Sequence, residues 1–80
     1  MESQNARDAI EKARKDYGDR YLKPLIVLTV GEILKEGCSP QPDKVHYVLS
    51  KYFQSAGENP PLPEDVYKEI ENLKKEKILR

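Results

Sequence analysis

Eighty residues at 9.2 kDa, with 14 Lys+Arg against 14 Asp+Glu, carry a formal net charge of zero, which excludes the broadly basic coat that draws a protein onto nucleic acid. The longest apolar run, Leu25-Ile26-Val27-Leu28, falls far short of the ~18 residues a membrane span needs, so no bilayer-crossing segment is expected. One cysteine, Cys38, and one histidine, His46, supply neither an internal disulfide nor a zinc site of the usual three or four ligands, and no metal or other cofactor is expected.

The opening Met1-Glu2-Ser3-Gln4-Asn5 has neither the basic nor the apolar region of a secretory signal, which points to a cytoplasmic chain. Charged residues make up 35% and hydrophobic residues 38%, the balance of a small soluble domain with a modest core. Without covalent or metal staples, such a domain depends on helix packing, a homodimer or a partner for its stability. The pattern divides into an N-terminal helix over 1–18 and a helical core over 19–80, one domain overall.

In the first element Ala6, Ala9, Ile10, Ala13 and Tyr17 share one helical face, with Arg7, Asp8, Lys12, Arg14 and Lys15 off it, so a helix over 6–17 is predicted. Gly18 interrupts it, and Asp19 is placed to cap the next helix. This second helix runs from about Arg20 or Lys23 to Glu36, with Pro24 tolerated only in its first turn or as the site of a kink. Leu22, Leu25, Ile26, Val30 and Ile33 form its broad stripe, with Val27 and Leu34 at the edge, which marks it as the core helix. The β-branched run from Ile26 to Val30 leaves a short buried strand as the alternative. Gly37 ends this element, and in Ser39-Pro40-Gln41-Pro42-Asp43 either Ser39 or Asp43 is placed to cap a third helix from Lys44 to about Ser55. Its apolar positions Val45, Val48, Leu49, Tyr52 and Phe53 follow i, i+3, i+4, i+7, i+8. The prolines at 60, 61 and 63 then require a loop, and a fourth helix from about Glu64 buries Leu62, Val66, Ile70 and Leu73. Ile78-Leu79 is either the end of that helix or a short extended segment. The sum is an all-α bundle of about four helices.

The third helix, the proline loop and the segment from Glu64 to Arg80, with its Leu73-Lys74-Lys75-Glu76-Lys77-Ile78-Leu79 ending, resemble part of a winged-helix or helix-turn-helix domain without an evident wing. The resemblance covers roughly residues 20–80. It implies a small DNA-binding or DNA-associated regulatory domain, dimeric, with Lys68, Asn72 and Lys75 of the fourth helix turned toward a groove of duplex DNA and Lys74, Lys77 and Arg80 near the phosphates. Local charge divides along this segment. Between Glu58 and Asn72 five acids stand against the single base Lys68, whereas Lys74, Lys75, Lys77 and Arg80 surround only Glu76. The basic end also complements a helix dipole without any ligand.

Protein contact is the second functional expectation, in which the chain is an accessory or adaptor subunit. Leu28 lies off the stripe of its helix and belongs either to a helix buried on several sides, the expectation here, or to a surface that meets another chain. Tyr47 is harder to place inside and is an interface candidate. Pro60-Pro61-Leu62-Pro63 has the form of a short polyproline II ligand, although Leu62 is expected to pack on Val66 instead. His46 reads as a half-buried packing position, and Cys38 follows a helix-ending glycine rather than a helix N-terminus that would lower its pKa. No phosphate loop, dinucleotide fingerprint or oriented nucleophile is present, so a non-enzymatic binding module is expected.

Overall fold

The computed structural model describes residues 4–78. They form α1 (Gln4–Tyr17), a single 3-10 turn (Gly18–Arg20), α2 (Leu22–Lys35), α3 (Pro42–Ser55) and α4 (Pro63–Lys75), and no strand occurs among them. The described residues form an all-α bundle of four helices. The run Ile26–Val30 lies inside α2, so length and period outweigh β-branching, and the strand alternative is excluded.

Helix starts depart from expectation because backbone geometry replaces side-chain caps. Tyr21, Gln41 and Leu62 hold the N-cap positions of α2, α3 and α4, and none makes a side-chain cap bond. Asp19 lies in the 3-10 turn and caps nothing, and neither Ser39 nor Asp43 caps α3. Instead Pro42 and Pro63 occupy first-turn positions, where their fixed φ suits the helix and their missing N–H was never required. α3 therefore begins two residues before Lys44, and α4 one before Glu64, with Glu64 and Asp65 in its first turn complementing the dipole.

The three long helices of the core end alike. Gly37 and Gly57 take φ of 81° and 73°, and the amides of Cys38 and Glu58 reach back to the carbonyls of Ile33 and Phe53 at 3.1 and 3.0 Å. Lys77 takes the same position after α4 at φ 61°, with Ile78 N–H donating to the Leu73 carbonyl at 2.9 Å. Ile78 thus belongs to the cap, neither continuing the helix nor forming a strand; Leu79 lies outside the described residues.

Phe53, Ile10, Ile26, Ile33, Leu49, Leu73, Val45 and Val66 are fully buried in one core, to which α1 adds Ala6 and Ala13. Each large side chain contributes about 1.5–3 kcal/mol by leaving water. α1 therefore supplies a wall of the same core as α2, α3 and α4, and it packs on both α2 and α3. Two apolar residues expected inside are outside. Leu62 is 58% exposed, because its extended N-cap conformation points it outward and the buried Pro61 fills the place beside α3. Leu28 is 64% exposed, because α1, α3 and α4 approach α2 only on the side of Ile26 and Ile33.

Candidate functional site

Arg20 organises the α4 surface. Its guanidinium donates to Glu69 Oε1 at 2.5 Å and to both Glu76 oxygens at 2.9 Å, while Lys23 Nζ stands 3.7 Å from Glu76. The hydrogen bonds to Glu76 and then Glu69 raise the Arg20 pKa, and Arg20 in turn holds the Glu76 carboxyl below its ordinary value. Glu69, nearly buried on α4, finds its countercharge there. A second staple joins Arg14 Nη1 to Glu58 Oε1 at 2.7 Å, with the Arg14 guanidinium 5.1 Å from the centre of the Tyr21 ring. Two of the five acids between Glu58 and Asn72 are thus matched by arginines from the N-terminal quarter of the chain.

The residues expected to read DNA are divided over that surface. Lys68 and Asn72 line a groove of about 360 Å³ between α4 and the 3-10 turn, shared with Asp19, Asp65 and Glu69. Lys74, Lys75 and Lys77 are exposed at the far end of α4, and Lys74 Nζ lies 4.0 Å from Glu71. Lys74 also borders a largely apolar groove of about 490 Å³ walled by Val30, Leu34, Ile70 and Ile78. Arg80 lies outside the described residues. The α4 face is therefore split into an acid-rimmed groove at one end and a basic cluster at the other.

The exposed side of α2 has a different character. Leu28 at 64%, Leu34 at 57% and Val27 at 36% exposure stand around Gly31, also exposed. Leu28 is shared by two shallow grooves, one against α1 with Lys12, Asp16, Tyr17 and Pro24, the other against α3 with Glu32, Val48 and Tyr52. Tyr47 is 58% exposed with Lys51 Nζ 5.5 Å from its ring centre, but it lines neither groove. The two residues expected at a protein interface are hence on separate surfaces, and only Leu28 sits in a continuous apolar one. The neighbours that complete it, Tyr17 and Tyr52, escape a sequence reading because each also falls on the apolar stripe of its own helix.

His46 is half-buried, and its Nε2 lies 3.1 Å from the Pro61 carbonyl and 3.3 Å from Ser50 Oγ. The carbonyl only accepts, so Nε2 carries the proton and ties α3 to the proline loop. Tyr67 packs edge-on against this ring and donates its hydroxyl to Asp43 Oδ1 at 2.5 Å, which raises its pKa. These bonds make the loop a structural joint and hold Pro61 against the core. Cys38 is exposed beside Gly37. Among the described residues no group of three or more His, Cys, Asp or Glu is arranged to hold a metal, and no helix is long and apolar enough to cross a membrane.

Comparison with known proteins gives no match to this chain among family models, curated proteins or solved structures.

Proposed function

We propose that this chain is a non-enzymatic binding module that docks on protein through the exposed side of α2, the accessory or adaptor role anticipated from Leu28. The observation that carries the reading is Leu28 at 64% exposure between two grooves whose apolar lining includes Tyr17, Pro24, Leu25, Val48 and Tyr52. With about two thirds of its surface still in water, this leucine beside aromatic rings can contribute about 1–2 kcal/mol when another surface covers it. Leu28→Asp, which changes no core contact, is expected to abolish complex formation while leaving the far-UV circular dichroism unchanged. Retained binding by a folded Leu28→Asp protein would contradict the reading.

A second reading, duplex DNA binding by a winged-helix-like core, is favoured by one feature, the gathering of Lys74, Lys75 and Lys77 at the end of α4. Its weakness is the groove holding Lys68 and Asn72, where Asp19 and Asp65 present carboxylates to any approaching phosphate while Arg20 is taken up by Glu69. Under this reading duplex affinity falls steeply with salt and drops when Lys74, Lys75 and Lys77 become Gln. Absence of binding at low salt removes it.

A further inference from the structure

We infer that the surface covering Leu28 is a second copy of this chain, with the two α2 helices packed antiparallel about a two-fold axis beside Leu28. The inference rests on the protein-docking reading of α2 and names its occupant.

Gly31 is the first reason. It occupies the tenth of the 14 positions of α2, and a Cβ placed on it meets nothing within 4 Å. It lacks the positive φ of Gly18, Gly37 and Gly57, so the backbone does not demand glycine either. Glycine at mid-helix is less favourable than alanine, and no contact within the chain offsets that loss. On the helical wheel Gly31 lies at the middle of the exposed side, opposite Ile26 and Ile33, with Leu28 on one flank and Val27 and Leu34 on the other. Lys35 stands one turn on from Gly31 between it and Leu28, and the absent side chain at Gly31 leaves room for another helix to approach closely beside these apolar residues.

The distribution of charge is the second reason, and it selects the partner. The groove toward the N-terminal half of α2 carries Lys12 and Asp16 from α1, and the groove toward its C-terminal half carries Glu32, with Lys35 one turn further on. None of these four forms an ion pair with another described residue. A two-fold axis perpendicular to α2 at Leu28 lays each groove of one copy over the other groove of the second. Lys12 then faces Glu32 of the second copy, Asp16 faces Lys35, and Tyr17 faces Tyr52, each pair occurring twice. That reciprocity is what an isologous interface requires. The rim is self-complementary, and the formal net charge of zero sets no long-range repulsion against self-association.

Size permits it. The molecule measures 33 × 28 × 20 Å, so its broad faces are of the order of an ordinary protein–protein contact. Such a face supplies the ~800 Å² per partner of a standard interface. It also offsets the shortage of core in a chain of 80 residues.

Sedimentation equilibrium or light scattering over a concentration series from low to high micromolar tests the inference on the full chain. Wild type is expected to move from 9.2 kDa to twice that mass. Leu28→Asp, placed twice in the interface by symmetry, is expected to raise the dissociation constant by about 100-fold or more. Lys12→Glu weakens the dimer by roughly three- to tenfold, and Lys12→Glu combined with Glu32→Lys restores it. Far-UV circular dichroism of each variant separates lost pairing from lost folding, and the rescue by the double variant needs no assumption about either single one. A wild-type chain that stays monomeric throughout, or a dimer indifferent to Leu28→Asp, overturns the inference. If the monomer nevertheless captures a different protein through Leu28, the homodimer fails and the docking reading stands; if neither pairing is seen, both fail.

Discussion

Replacing Gly31 by alanine separates what the single chain needs from what its exposed helix is for. The new methyl enters open space on a helix whose backbone angles suit any residue, so neither clash nor strain opposes it. What remains is helix propensity, which favours alanine by about 0.8–1.0 kcal/mol at an interior position. In a domain of this length a gain of that size corresponds to a rise in melting temperature of about 4–8 °C. The assay is urea and thermal unfolding followed by circular dichroism at the lowest workable concentration, where only the monomer is present. At high concentration the outcome changes sign or shrinks, because the same methyl keeps two α2 helices apart and the stabilisation that dimer formation lends to the native state is lost. A Gly31→Ala monomer that is less stable than wild type would refute the reasoning, since it would mean that the glycine serves the fold of the single chain. A gain that is the same at all concentrations would refute the part that concerns the helix pair.

Lys77→Gly is expected to stabilise the chain by about 1 kcal/mol in chemical denaturation, since Lys77 holds the left-handed position that Gly37 and Gly57 hold in the other helix ends. Glu76→Gln tests the staple on Arg20. Because the folded Glu76 pKa lies below its ordinary 4.5, the stability it contributes is present above that pH and is lost as the pH falls through the folded value. The difference in stability between wild type and Glu76→Gln should hold steady near neutrality and close in acid. Tyr67→Phe has the opposite pH dependence. The Tyr67 pKa is raised above 10.0 by its bond to Asp43, so its contribution is full below that pH and is lost as the pH rises through the folded value. Alkaline titration of both proteins by urea unfolding should show the difference narrow at high pH, and a constant difference would dissociate Tyr67 from the effect.

How far the sequence carries is visible in particular residues. Four helices, their order and the core positions Val45, Leu49, Phe53, Val66, Ile70 and Leu73 follow from a 3.6-residue period and from the breaks at Gly18, Gly37 and the proline loop, because local spacing decides them. The caps do not follow, since Ser39 and Asp43 are the residues with capping side chains, yet backbone geometry set by Pro42 starts the helix instead. Leu28 shows a different limit. Its place off the stripe of α2 is legible, but whether a neighbouring helix covers that side depends on how α1 and α3 are set against α2, and no periodicity within α2 records that.

The arginine staples mark the same limit for charge. Arg20 meets Glu69 and Glu76 across 49 and 56 residues, and Arg14 meets Glu58 across 44, distances at which sequence spacing is silent. They alter the meaning of the acidic stretch that precedes the basic end of α4. Along the chain, that stretch is a repulsive field before a set of lysines. In the fold, Glu58 and Glu69 are countered by arginines that are thereby withdrawn from any phosphate, and the carboxylates left beside Lys68 and Asn72 are Asp19 and Asp65 with Glu69 behind them. Meanwhile Lys12, Asp16, Glu32 and Lys35 border an apolar strip around Leu28 with both signs in alternation. A phosphate backbone selects one sign, whereas a protein surface, and above all a second copy of the same one, accepts both. The zero net charge of the chain is therefore distributed among internal arginine staples, a one-signed lysine cluster at the end of α4 and a two-signed rim around Leu28, and of the two exposed sets only the rim offers both signs to a partner.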